Sequence, residues 1–198
     1  MPENPFRPYT PNPEFLAALP EGYSGNAVNG LGETEDRQPQ MVWWTPDMDT
    51  APFGDAQMWF YKNEEPDDEM QAMRKKRREM AATPLPKVTG EPVERTPEAW
   101  TAALDQFIAA GDCEMVGVAR MRPEWIFDHE ETEFGTVLIF GVQHIYEELK
   151  HVPDTRGGKD VTRQYGRAYE VSIKVASWLR AQGWDADPVT GPMVGKIL

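Results

Sequence analysis

Hydrophobic and polar positions alternate most regularly near the end of the chain, in residues 160–184. Mostly apolar side chains recur there at steps of three and four residues, which predicts one largely apolar face along a helix. The positions on this face are Val161, Tyr165, Ala168, Tyr169, Ser172, Val175, Ala176 and Leu179. Asp160 suits the N-cap of this helix, and Gly183 suits a left-handed C-terminal cap. A short strand, residues 184–189, is predicted to follow.

The sequence before this helix alternates between helical and strand patterns. A helix is predicted to begin after Thr96, at a Thr-Pro dipeptide, and to end at Gly111. Residues 113–121 predict a strand, and residues 123–127 predict a short turn of helix. Residues 136–142 (TVLIFGV) form a continuous apolar run, which is typical of a strand covered on both faces. The order predicts an α/β layer with helices packed on a sheet.

The first half of the chain has a different pattern, with frequent prolines and few apolar runs. Residues 64–82 predict a helix. Its first turn is acidic, and the cationic run RKKRR lies further along the same helix. Five consecutive charges circle a helix, so we interpret this run as a solvated surface and not as a nucleic-acid patch. Residues 41–60 carry many large rings, which favours a loop that packs onto a domain. The chain therefore divides into an irregular, proline- and aromatic-rich arm, residues 1–95, and a globular part, residues 96–198.

Charge and cysteine content narrow the function classes. The 198-residue chain has a formal net charge of −13, which disfavours binding to phosphate backbones. Cys113 is the single cysteine, so the chain cannot ligate a [4Fe–4S] cluster by the usual four thiolates. A reduced, cytoplasmic setting is expected. The sequence has no run of about 18 apolar residues and no signal-peptide pattern, so no membrane span is predicted.

The three histidines give weak signals when they are considered by spacing alone. His129 precedes the acidic stretch 130–133, where either a hard-metal site or a set of solvated carboxylates would fit. His144 and His151 show no spacing that a known site requires. No Ser/His/Asp or Cys/His set is visible, and Cys113 is interpreted as a small buried residue.

Tyr165 is the one candidate for acid chemistry in the long helix. A phenol is protonated at neutral pH and can deliver a proton if its anion is stabilised. Arg163 and Arg167 are close in sequence and could supply that positive field. The alternative is that Tyr165 is simply a helix residue that faces the sheet.

Three segments of the globular part resemble the first part of the corrinoid-binding domain of reductive dehalogenases and their relatives, the epoxyqueuosine reductases. The first strand of that domain is similar to GDCEMVGVARMRPEWIF, and its second strand with the following residues to TVLIFGVQHIYEELKHVPD. Its long helix is similar to VTRQYGRAYEVSIKVASWLRAQGWDADP. The three segments occur in the order of the family, and the region that resembles it, from about Thr96 to the end of the sequence, is about half of the chain.

This resemblance implies a partial nitroreductase-like fold and the use of cobalamin with two [4Fe–4S] clusters. The reaction it implies is the reductive removal of a halide or, in the relatives, of an epoxide oxygen. The family's proton-donating tyrosine lies 18 residues before the glycine of a turn, as Tyr165 lies before Gly183. The resemblance therefore assigns proton donation to Tyr165. The family often has an asparagine after its last strand, where this chain has Gly191.

We therefore expect an α/β (α+β) domain that is the N-terminal portion or a subunit of a cobalamin-dependent, iron–sulfur reductive dehalogenase-like oxidoreductase. A second chain or a further C-terminal region would carry the two clusters and complete the cobalamin site, and the isolated chain would be inactive. One alternative is a non-catalytic binding subunit that wraps a partner through its N-terminal arm. Another is a flavin-binding relative of the nitroreductases.

Overall fold

The computed structural model describes most of the chain. The residues described are 12–21, 37–43, 47–64, 66–152 and 154–189. Gly191, at the position where the related family often has an asparagine, lies outside these ranges.

The described residues form six α-helices, two β-strands and one 3-10 turn, in a mixed α+β arrangement. The helices are α1 (Pro13–Ala17), α2 (Gly54–Asn63), α3 (Asp68–Ala82), α4 (Pro97–Ala109), α5 (Tyr146–Leu149) and α6 (Thr155–Ala181). The strands are β1 (Met115–Arg120) and β2 (Thr136–Gly141), with the 3-10 turn Pro123–Trp125 between them. The strands pair antiparallel, with Met115 opposite Gly141 and Arg120 opposite Thr136.

Among the described residues, the two-stranded sheet has one covered face and one exposed face. Val116, Leu138 and Phe140 point to the core, where they pack against buried residues of the helices. Met115 and Ile139, on the opposite face, are 68% and 58% exposed. The expectation that β2 is covered on both faces is therefore wrong, although the strand itself was predicted within one residue. An uninterrupted apolar run does not by itself show how many neighbours a strand has.

The strand predicted at residues 184–189 is absent from the described sheet. Side-chain hydrogen bonds hold this irregular segment in place. The indole N–H of Trp184 donates to the carbonyl oxygen of Val93 at 3.0 Å, and Nε of Arg180 donates to the carbonyl oxygen of Ala186 at 3.1 Å. Pro188 removes one of the N–H groups that a ladder would need.

The core lies between α4, the sheet and the C-terminal half of α6. Its buried members are Leu104, Phe107, Cys113, Val171 and Val175. Trp178 packs edge-on against both Phe107 and Trp100, with 5.7 Å between ring centroids in each pair. As predicted, the hydroxyl of Thr96 caps α4, and Gly111 follows the helix with a φ of 74°.

Helix α6 begins one and a half turns earlier than its sequence pattern predicts. Its first residue is Thr155 and its N-cap residue is Asp154, so the prediction that Asp160 caps the helix is wrong. Asp160 lies inside the helix with no solvent exposure. Its carboxylate accepts hydrogen bonds from outside the helix, including one from the backbone N–H of Ile145 at 3.2 Å. A tertiary contact, and not a cap, explains this aspartate.

The other end of α6 follows the prediction. Gly183 has a φ of 81°, which is the left-handed conformation expected of the first residue after a helix. The N–H of Trp184 donates to the carbonyl of Leu179 at 3.1 Å, and the N–H of Gly183 donates to that of Arg180 at 3.2 Å. These two bonds form a Schellman motif, which satisfies the last carbonyls of the helix.

The arm contains more helix than its composition suggests. The predicted helix 64–82 is α3, which begins at Asp68 after Asp67 caps it by accepting from the N–H of Met70 at 2.9 Å. The last part of the aromatic stretch expected as a loop, residues 54–60, belongs to α2, and Trp59 on this helix contacts Phe15 of α1 at 5.1 Å between ring centroids. Helix α3 packs along α6, so part of the arm lies directly on the globular part.

Candidate functional site

Tyr165 lies on α6 on the side where α3 packs, and it is partly open to solvent. The side chain was expected on the buried face of the helix, but the residue is 42% exposed. The guanidinium carbon of Arg77 lies 5.7 Å from the centroid of the phenol ring. A guanidinium near an aromatic face is attracted by the ring's electrons. The cation beside the candidate phenol therefore comes from α3.

The two arginines expected to serve Tyr165 are paired with carboxylates instead. Arg163 lies 3.6 Å from Glu69 and 3.8 Å from Asp160. Arg167 lies 2.8 Å from Glu114, and its hydrogen bond to that side chain is the main cause of a lowered pKa of Glu114. The prediction that these two arginines supply a free positive field is therefore not supported by their contacts, since each charge is offset by a nearby carboxylate.

A second cluster of polar groups surrounds Asp160, and the sequence did not predict it. Nε2 of Gln164 donates to Oδ1 of Asp160 at 2.9 Å. Nδ1 of His144 lies 2.9 Å from Oδ2, and the backbone N–H of Ile145 donates to the same oxygen at 3.2 Å. The carboxylate thus joins the loop after β2 to the first turns of α6.

The hydrogen bonds keep Asp160 ionised despite its burial. Burial alone would raise the pKa of this carboxyl, but the donors Gln164, His144 and the N–H of Ile145 outweigh it and hold the pKa below its usual value. An ionised carboxylate can only accept, so the ring nitrogen Nδ1 of His144 must carry a proton. The other ring nitrogen, Nε2, is then the one that carries the lone pair when the imidazole is neutral.

The sequence of α6 does contain a sign of this cluster, although the spacing between the histidines does not. Asp160 and Gln164 share one helical face with Val171 and Val175, which belong to the core. Two polar residues at the start of a core-facing stripe are expected to be hydrogen-bonded in the folded protein. The histidine that contacts Asp160, His144, lies 16 residues earlier in the chain. It can be identified only when the path of the connecting loop is known.

Metal and cluster ligands are scarce in the part of the chain that the structure describes. That part contains no group of three or more His, Cys, Asp or Glu side chains that could hold a metal ion. His129 lies 3.5 Å from the carboxylate of the neighbouring Asp128, and its ring stacks on Phe127. Cys113 is buried, and burial raises the pKa of its thiol. This chain's single thiol therefore does not fit an iron–sulfur cluster.

Tyr165 lines neither of two cavities that lie among the described residues. One, of about 660 Å³, lies between the end of α3 with its following segment and α6, and includes Met80, Pro84 and Lys174. The other, of about 430 Å³, is lined by residues that include Asp47 and His129. Because the surface at Tyr165 is open, the described residues do not by themselves enclose a cobalamin there.

No protein-family model matches this chain, and the searches of curated proteins and of solved structures gave no significant match. Among the described residues, none of the helices is both long enough and apolar enough to cross a membrane.

Proposed function

We propose that this chain is the N-terminal portion or a subunit of a cobalamin-dependent, iron–sulfur reductive dehalogenase-like oxidoreductase, in which Tyr165 donates the proton. The observation that supports this is the position of the phenol on α6. It is partly exposed, and it precedes by 18 residues a glycine in the left-handed conformation that ends the helix. A second chain or a C-terminal region that carries the cobalamin and both clusters would cover this surface.

The chemical contribution of this chain is then a positioned proton. The phenol of Tyr165 would transfer its Oη proton to the reduced substrate, with the guanidinium of Arg77 lying beside the ring. The reducing chemistry belongs to cofactors held by the rest of the assembly.

The sheet also supports a larger assembly. Within the described residues, β1 and β2 have only each other as neighbours, so each strand has an unpaired edge. One face of this sheet exposes Met115 and Ile139. Unpaired edges and exposed apolar faces are usually covered in a finished fold. Further strands from the rest of the assembly would provide that cover.

The experiment compares Tyr165→Phe with Tyr169→Phe in the complete assembly, purified through a tag on this chain. Tyr169 lies one turn further along α6 and serves as the matched control. Loss of a general acid lowers a rate by roughly 100-fold or more. We therefore expect Tyr165→Phe to lower reductive turnover by this factor while the bound cobalamin, measured by its absorbance, stays constant. Near-normal turnover would overturn the assignment.

A second candidate function is a non-catalytic subunit that binds a partner protein through its N-terminal arm. The exposed rings of Phe60 and Tyr61 on α2 favour it, because large exposed rings are frequent at interfaces. The same purification separates the two candidates. A binding subunit would give a stable complex without corrinoid, and deletion of residues 1–60 would cause a large loss of binding.

A further inference from the structure

The pair formed by His144 and Asp160 has the geometry of an oriented imidazole. Asp160 has no solvent exposure, whereas the His144 side chain is 42% exposed. One ring nitrogen contacts the buried carboxylate at 2.9 Å, so a ligand at this partly exposed ring would meet the other nitrogen, Nε2. A histidine that served packing alone would not need an ionised partner fixed by two further donors.

We propose that His144 is an acid–base site of this protein, at which Nε2 accepts a proton from the hydroxyl group of a ligand or of water while Asp160 fixes the ring. This inference does not depend on the role proposed for Tyr165.

The position of the carboxylate is set by groups other than the histidine. Gln164 holds Oδ1, and the backbone of Ile145 holds Oδ2 next to Nδ1 of His144. Arg163 lies 3.8 Å from Oδ1, on the side away from the imidazole contact. The carboxylate therefore cannot turn away without losing several bonds. Because the ionised carboxylate can only accept, its contact with Nδ1 keeps the proton on Nδ1 and the lone pair on Nε2.

The proton transfer balances without any added reactant. The O–H bond of the hydroxyl group breaks, its proton forms a bond to Nε2, and the oxygen keeps the electron pair. The imidazole becomes an imidazolium whose positive charge lies against the negative carboxylate of Asp160. Reversal of the step returns the proton. Asp160 is a positioning residue here, since it touches only the imidazole.

The first test is the tautomer of His144 in the full chain, measured by 15N NMR at a pH where the imidazole is neutral. The spectrum is assigned with the His144→Gln variant. We expect a protonated Nδ1 and an unprotonated Nε2. A predominant Nε2–H tautomer would overturn the proposal without the need for any variant at Asp160.

The second test uses diethyl pyrocarbonate as the probe of the free nitrogen. Nε2 attacks one carbonyl carbon of the reagent, an N–C bond forms, ethyl carbonate leaves, and the Nδ1 proton is lost. When a metal-binding histidine loses the carboxylate that orients it, metal affinity or activity typically falls 10- to 100-fold. We expect Asp160→Asn to slow modification of His144 by about tenfold, on that basis. His129, whose side chain is 48% exposed, is the internal reference in each sample.

Gln164→Met is the control for damage to the fold. It removes one hydrogen bond to Asp160 but leaves the contact between Asp160 and His144 in place. The tautomer of His144 and its rate of modification should then be the same as in the chain without a substitution. If diethyl pyrocarbonate modified His144 at the same rate in Asp160→Asn and in the chain without a substitution, the proposal would be overturned. Loss of the Nδ1–H tautomer in a folded Gln164→Met variant would also overturn it.

Discussion

Gly183 packs directly against the backbone of Glu91, so closely that a Cβ atom at Gly183 would lie 2.6 Å from the Glu91 carbonyl oxygen. The contact belongs to a strap formed by residues 83–94, which follows α3 and reaches the end of α6. Within this strap, the N–H of Val93 donates to the carbonyl of Gln182 at 2.8 Å. The end of α6 is thus closed both by its own glycine cap and by the strap.

Gly183→Ala should lower the free energy of unfolding. A left-handed residue with a side chain costs about 1–3 kcal/mol, and the contact with Glu91 adds strain because a backbone atom cannot easily move. Urea unfolding monitored by circular dichroism measures the loss. Gly166→Ala is the matched control, since Gly166 lies within α6 and an added Cβ there meets nothing within 4 Å. It should raise the free energy by about 0.5–1 kcal/mol. Equal effects would contradict the proposed role of the Gly183 contact.

Arg95 lies over two tryptophan rings and stabilises the junction between α4 and α6. Its guanidinium carbon is 4.4 Å from the centroid of Trp100 and 6.0 Å from that of Trp178, and Nη2 donates to Oε1 of Gln182 at 2.7 Å. Arg95→Met keeps the length of the side chain but removes its charge and donors. We expect a loss of about 1–2 kcal/mol in the free energy of unfolding, from the cation–π contact and the hydrogen bond.

The control for this substitution is Arg122→Met. Arg122 also lies over a tryptophan, with its guanidinium carbon 5.8 Å from the ring centroid of Trp125, but its side chain is 56% exposed. Because water screens this contact, the loss should be only about 0.5 kcal/mol. Unfolding curves that shift equally for both variants would show that the two rings around Arg95 add no stability.

Acid should weaken the contact between Asp160 and the loop after β2. The folded pKa of Asp160 lies below its unfolded value near 3.8, so this carboxylate adds stability above that pH. The contribution is lost as the pH falls below about 4 and through the folded pKa. Asp160→Asn cannot undergo this protonation. The difference between the urea midpoints of the two proteins should therefore narrow as the pH falls from 6 to about 3. A constant difference would contradict the ionised state of Asp160.

Cys113 should react slowly with thiol reagents in the folded protein. Only 2% of the residue is exposed, and burial raises the pKa of the thiol, so little thiolate meets the reagent. Labelling with Ellman's reagent at neutral pH should be far slower in buffer than in concentrated guanidinium chloride, where one thiol per chain should react. Rapid labelling of the folded chain would instead place Cys113 at an accessible site.

The sequence predicts elements that depend on neighbouring residues better than contacts that depend on the path of the chain. The threonine cap of α4 and the left-handed Gly183 were predicted because each acts within a few residues. The start of α6 was not predicted correctly. Asp160 is a residue type that often caps helices, but here its carboxylate contacts His144 and Ile145 in the loop after β2. Sequence periodicity also placed Tyr165 on the buried face, although the side of α6 that meets the core runs through Gln164, Val171 and Val175.

The candidate site shows the same division. The phenol could be selected from the sequence only through its distance to Gly183, whereas the cation above it, Arg77, lies 88 residues away on another helix. The contact between His144 and Asp160 requires the turn through α5, which brings the loop after β2 back onto α6. No local pattern encodes that return.

The strap also makes position 95 a poor place to divide the protein. The N–H of Thr89 donates to the carbonyl of Arg180 at 3.1 Å, and Nη1 of the same arginine donates to the carbonyl of Pro86 at 3.1 Å. A recombinant fragment that begins at residue 96 would lack residues 86 and 89. The polar groups at the end of α6 would lose these hydrogen bonds and would have to bind water. Expression of the globular part for crystallography or screening should therefore retain residues 83–95, and proteolytic nicking within them is expected to loosen the far end of the longest helix.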